Sequence, residues 1–176
     1  MYRVSVGAIA AAMLASVLAP TAAAQDPVAN LKAAVDAARS EGGCPPFHND
    51  AILNDVSVRA TREIDAWISH TGKVLPISDT IVPGVPGLMQ ALREKGYNPG
   101  KAKMLSGYGD YRTGGPGDNE AKAIAAALLQ GEANAVFSDC SYTKYGLSGV
   151  SDDSPQGWPS SPPRSYFLTT VTVAGD

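Results

Sequence analysis

The chain has 176 residues, 44% apolar and 18% charged, with 14 Lys and Arg against 17 Asp and Glu for a formal charge of -3. That length supplies one domain with a real core, and an acidic balance with no Lys/Arg cluster argues against nucleic acid, whose phosphates call for a counterion-releasing basic surface. Two cysteines and two histidines at no familiar ligand spacing argue against a structural zinc site.

Arg3, the apolar run Val4 to Leu18 and the small residues Thr21-Ala22-Ala23-Ala24 form a secretory leader pattern over 1–24, with cleavage expected after Ala24. The run is short for a bilayer, Gln25-Asp26-Pro27 follows at once, and no later stretch has spanning length, so no transmembrane segment is expected after the leader is removed. A single domain over 25–176 is expected, secreted or in the cell envelope. Without Arg3, 13 bases stand against 17 acids, a formal charge of -4. In that compartment the even pair Cys44 and Cys140 predicts a disulfide, closing a loop of roughly 100 residues worth about 4 to 5 kcal/mol in the chain-entropy account.

Leu31, Ala34, Val35 and Ala38 lie at offsets 0, 3, 4 and 7, the stripe of a helix stopped by Gly42-Gly43, with Pro27 near its first turn. After the Cys44-Pro45-Pro46-Phe47 turn, Asn49 or Asp50 caps a second helix running to about Ser69, with Ile52, Val56, Ala60, Ile64 and Trp67 or Ile68 inward. The span 71–86 reads as surface loop, and 87–95 as a short helix ended by Gly96. A brief strand is expected around Met104. Five glycines between Gly107 and Gly117 read as flexible loop before a helix capped at Asp118 or Asn119, with Ala121, Ile124, Ala125 and Leu128 buried. Tyr142 to Val150 and Arg164 to Ala174 read as strands joined by the proline-rich 151–163. Helices before and between strands indicate an α+β fold with a largely antiparallel sheet.

Three stretches resemble the CAP superfamily of cysteine-rich secretory, antigen 5 and pathogenesis-related proteins, in particular its diverged bacterial members. Asp36-x-x-Arg39 with Cys44-Pro45-Pro46-Phe47 and Asp50 is similar to the family's opening helix and the turn after it. His70-Thr71-Gly72 followed by Gly96-Tyr97, and Asp139 to Leu147 with the closing Ser165 to Ala174, resemble the later motifs. The resemblance implies a three-layer α-β-α sandwich, and it sets the first-helix turn, with Cys44, beside the start of the penultimate strand, with Cys140. It also implies a cleft in which two His and two acids hold a divalent metal. His70 matches the first histidine; the second falls on Ala133, and the acidic motif falls on Ala102-Lys103-Met104-Leu105, where no acid stands. Methyl and ammonium groups cannot ligate a cation, so no metal or other cofactor is expected, with His70 the one weak candidate ligand. A shift of a residue or two brings Glu132 into that region.

The remaining chemistry-bearing residues favour bland roles. His70, just past a helix C-terminus, suits a helix-end contact, and His48 an exposed turn. Ser69 beside His70 lacks a nucleophile elbow. The Gly107 loop lacks both the phosphate-loop ending and the dinucleotide fingerprint, leaving Tyr108, Tyr111 and Arg112 as candidate ligand contacts with His70 and Trp158. Asp152-Asp153 has no calcium-loop order. Trp67, Tyr142, Tyr145, Tyr166 and Phe167 are expected in the core, whereas Trp158 lies in a loop.

The function expected is a secreted, non-catalytic CAP-like binding or envelope-associated protein, with a lipid or other small hydrophobic ligand implied by the resemblance. The alternatives are an altered metal-dependent hydrolase using His70 with Glu120 or Glu132, and a secreted structural or host-interacting antigen.

Overall fold

Leu31, Val35 and Arg39 recur at four-residue spacing and form the buried side of helix α1 (Ala29–Glu41) in the computed structural model, which describes residues 26, 28–73, 75–79, 87–129, 131–152 and 165–176. The leader expected at 1–24 and Trp158 lie outside the described residues. Gly43, at φ 73°, turns the chain out of α1. A two-residue strand β1 (His48–Asn49) follows, so His48 is exposed but sits in an edge strand rather than a turn. Of the two cap candidates, Asp50 takes the role: its carboxylate accepts from Ile52 N and Leu53 N at the head of α2 (Ala51–Ile68).

Helix α2 is rotated from its expected face. Leu53, Val56, Ser57, Ala60 and Thr61 are buried, Ile52, Ile64 and Ile68 are half-buried, and Trp67 is 49% exposed. Hydroxyls cause the rotation. Ser57 Oγ lies 3.1 Å from Gly146 O and 2.8 Å from Thr172 Oγ1, while Thr61 Oγ1 lies 2.9 Å from Thr170 Oγ1, so two polar residues are satisfied on the sheet and can face it. The short α3 (Leu88–Glu94) ends as expected, with Gly96 at φ 78°. Within 71–86, part is not surface: Ile77 is buried, its N–H donating to Glu63 at 2.9 Å.

Strand β2 is ten residues long (Lys101–Asp110) and extends through Gly107 and Gly109, both expected in a loop. Helix α4 (Asn119–Leu128) is capped by Asp118, and a further short helix, α5 (Ala133–Ser138), was not foreseen. β3 (Tyr142–Asp152) and β4 (Tyr166–Gly175) form the expected long hairpin. The sheet order is β1-β3-β4-β2, antiparallel except for β1 beside β3. Every residue of β4 is buried because both its edges and both its faces are covered. Even-numbered Thr170, Thr172 and Ala174 face α2 and α3, whereas Val171 and Val173 join Leu31, Val35, Ile124 and Phe137 under α1, α4 and α5. The result is an α-β-α sandwich, and Tyr142, Tyr145, Tyr166 and Phe167 are in its core as expected.

The glycines of β2 mark where α4 lies against the sheet. A Cβ on Gly107 would meet Ala123 O at 1.9 Å, and one on Gly109 would meet Asn119 O at 2.1 Å. Four helical residues rise about 6 Å and two strand residues about 6.7 Å, so the two glycines accept successive turns of the helix backbone. This close seat also explains which face of α4 is inward: Ala123, Ile124 and Ala127 are buried, while Ala121 and Ala125 are exposed and Leu128 half-buried. Gly107→Ala is expected to cost about 3 kcal/mol, since helix backbone must move to admit the methyl group. A urea titration showing a loss below about 1 kcal/mol would contradict the close approach.

Candidate functional site

Lysines at the start of β2 fill the region that the resemblance assigns to a metal. Lys103 Nζ lies 2.5 Å from Glu132 at the head of α5 and 3.7 Å from Asp79, and Lys101 Nζ lies 2.5 Å from Asp139 and also contacts Ser141 Oγ. Together with Ala135, Val136 and Tyr142, Lys103, Glu132 and Asp139 line a cleft of about 260 Å³. Lys101, then Ser141, holds the Asp139 carboxyl well below the usual carboxylate range. Glu132 raises the Lys103 ammonium, keeping it protonated, and such a pair is poor in both free ligands and free bases.

His70 adopts φ 58° just beyond α2, with its N–H donating to Trp67 O at 3.2 Å, and it is exposed. Glu120 lies on α4, across the sheet from α2, and accepts from Asn30 Nδ2 at 3.2 Å, while Glu132 is occupied by Lys103. Among the described residues, no three His, Cys, Asp or Glu side chains converge as a metal set would.

At the far end of β2 the sequence reading missed an ordered turn. Burial raises the Asp110 carboxyl, but donors outweigh it: Tyr108 Oη at 2.9 Å, Arg112 N and Thr113 N at 2.8 Å and Thr113 Oγ1 at 2.9 Å bring it below the ordinary value. Tyr108 also stacks on Tyr166, with ring centroids 5.6 Å apart. Of the candidate contacts here, Tyr108 is thus held by the fold, whereas Tyr111 is 59% exposed with Arg112 Nε donating to its hydroxyl at 2.8 Å. Asp152 is half-buried rather than solvated, accepting from Tyr166 Oη at 3.1 Å. Asp110 and Asp139 titrate lower in the folded chain than in the unfolded one, so acid protonates the unfolded chain first. Their stabilisation is complete above about pH 4 and fades as pH falls through the folded values. Asp110→Asn is expected to shallow the acid limb of a stability-versus-pH curve; an unchanged limb would show that the turn does not carry this linkage.

An opening lined largely by alanine and leucine lies elsewhere, between α1 and α4. Asn30 and Glu120 meet at the start of both helices, and Ala38 and Glu41 stand beside Leu128 and Leu129 at their ends, so the helices run side by side in the same direction. The groove has two lobes, of about 350 and 500 Å³, sharing Ala34; Ile124 and Phe137 lie deep in them, and Leu129, 81% exposed, stands at the rim. A hollow of about 450 Å³ on the outer side of α2 is instead charged, with Arg59 paired to Glu63 and Glu94, and Lys95 to Asp55. The groove carried no chemical signal in the sequence, because alanine spacing marks packing and pockets alike.

Comparison with solved structures defines the class of fold. An extracellular protein containing a SCP domain from Bacillus anthracis superposes with a TM-score of 0.50 over 84% of this chain, at 10% sequence identity. The chain therefore has the SCP, or CAP, fold expected from the motifs, and it spans 39% of that protein's length. No family model matches the sequence, and no curated protein matches it.

Proposed function

We propose that residues 25–176 form one exported, non-catalytic CAP-like binding domain that holds a small apolar ligand in the α1/α4 groove. The observation carrying this reading is the groove itself, a concave, alanine-lined surface of ligand size with Ile124 and Phe137 in its floor. Export is supported by the leader pattern at 1–24 and by the bridge between Cys44 and Cys140. Among the described residues no helix is long and apolar enough to cross a membrane. The internally paired lysines where family members place metal ligands support a binding role over hydrolysis.

Two measurements test the reading. Organic extraction of protein purified from its own host, followed by mass spectrometry, is expected to release an amphiphile in near-stoichiometric amount from wild type and not from Ala34→Trp, which fills the shared centre of the groove; equal yields from both proteins would place the ligand elsewhere. Zinc titration is expected to raise stability in neither wild type nor His70→Ala, since a lone imidazole holds zinc weakly. Micromolar zinc binding lost in His70→Ala would favour the metal-dependent hydrolase instead.

A further inference from the structure

Resting on the groove reading, we infer that the α1/α4 groove selects single-chain amphiphiles with a cationic head, seated at the Glu41 end with the chain running towards Asn30. Three features of the groove converge on this polarity. First, its ionisable lining residues are Asp118, Glu120 and Glu41, all acids, with no Lys, Arg or His among them. A carboxylate or phosphate head would meet like charge at either mouth.

Second, the two ends are not equivalent. Because α1 and α4 are parallel, their macrodipoles add, leaving partial positive charge at the Asn30 end and partial negative charge at the Glu41 end. At the Asn30 end, Asp118 is committed to Ala121 N and Glu120 to Asn30, so those acids neutralise the helix starts. At the other end Glu41 adds a full negative charge to two helix C-termini. Third, the nearby bases are committed elsewhere: Arg39 is buried and bonded to carbonyls, Lys122 donates to Asp110 O at 3.1 Å, and Lys32 pairs with Asp36 at 2.5 Å on another side of α1. The Glu41 mouth is thus a cation site beside an apolar channel, with the Asn134 amide also at hand.

The test is isothermal titration of delipidated wild type, below micelle concentrations, with decyltrimethylammonium, decanoate and decyl maltoside at low salt. Decyltrimethylammonium is expected to bind about tenfold more tightly than decanoate, with the gap closing in 0.5 M salt. Glu41→Gln is expected to reduce that preference several-fold, and Glu120→Gln to leave it nearly unchanged. Equal affinity for all three probes, or a preference for decanoate, would overturn the head-group assignment while leaving an apolar groove in place. Equal loss in both variants would overturn the orientation. Binding of none of the three to wild type would remove the groove reading and this inference together.

Discussion

Arg39→Met is expected to cost about 4 kcal/mol of folding stability, more than any exposed charge in the chain. The guanidinium is 2% exposed and lies where the end of α1 meets the turn between α5 and β3. Nε donates to Pro45 O at 2.9 Å, one terminal nitrogen to Phe137 O and Asp139 O at 3.0 Å, and the other to Tyr142 O at 2.6 Å. Its face rests on Phe47, 4.1 Å from the ring centroid. Burial draws the guanidinium pKa down and Asp139 opposes that, yet the group stays charged. Methionine retains the packing but strands four carbonyls, two in buried bonds and two in part-buried ones, a buried one costing about 1 to 3 kcal/mol when left without a donor. Arg39→Lys should lose about half as much, because an ammonium can reach only part of the cage. Urea titration reads the difference directly; a loss below about 1 kcal/mol for Arg39→Met would mean that the cage is not a structural joint.

Replacing both Cys44 and Cys140 by serine is expected to remove about 4 to 5 kcal/mol, and by another route. The bridge spans 96 residues, with Cα atoms 5.1 Å apart, and ties the same two segments that Arg39 joins. Its main effect is to restrict the unfolded chain, whereas Arg39 acts in the folded one. The cysteine-free protein should therefore keep its native near-ultraviolet signature at 25 °C while its denaturation midpoint falls. Adding Arg39→Met should unfold it, since the combined loss of about 8 kcal/mol approaches the whole stability of a typical domain. A cysteine-free variant as stable as wild type would indicate that the unfolded chain is already compact without the bridge.

Local signals were legible where one residue carries one role. Asp50 and Asp118 cap helices, Gly43 and Gly96 leave them at positive φ, and the β3–β4 hairpin follows from its β-branched runs. Errors arose where tertiary contact reversed a local preference. Gly107 and Gly109 signal a turn in isolation, yet they lie mid-strand because α4 leaves no room for a side chain. Ser57 and Thr61 signal an outward face, yet they bond threonines across the layer, which turns Trp67 towards solvent. Arg39 was legible only through its motif, since nothing in its neighbours announces a cage of carbonyls over 90 residues away. The groove was the least legible feature of all: Ala34, Ala37 and Ala38 have no chemistry of their own, and only the parallel course of two helices far apart in sequence gives them a shared surface.

The central place of β4 also governs when this molecule can fold. It pairs with β2 over ten residues on one side and with β3 on the other, so without it the pairing left among the named strands of the described residues is the two-residue contact of β1 with β3. A nascent chain that has emerged only as far as residue 165 has β2, on which α4 rests, and β3, on which α2 rests, but no strand to join the two into one sheet. Assembly must wait for the last strand, then close many distant contacts at once, which makes for slow folding and a long interval in an unfolded state. A chain of that kind is suited to being threaded through a narrow translocation channel before its structure locks.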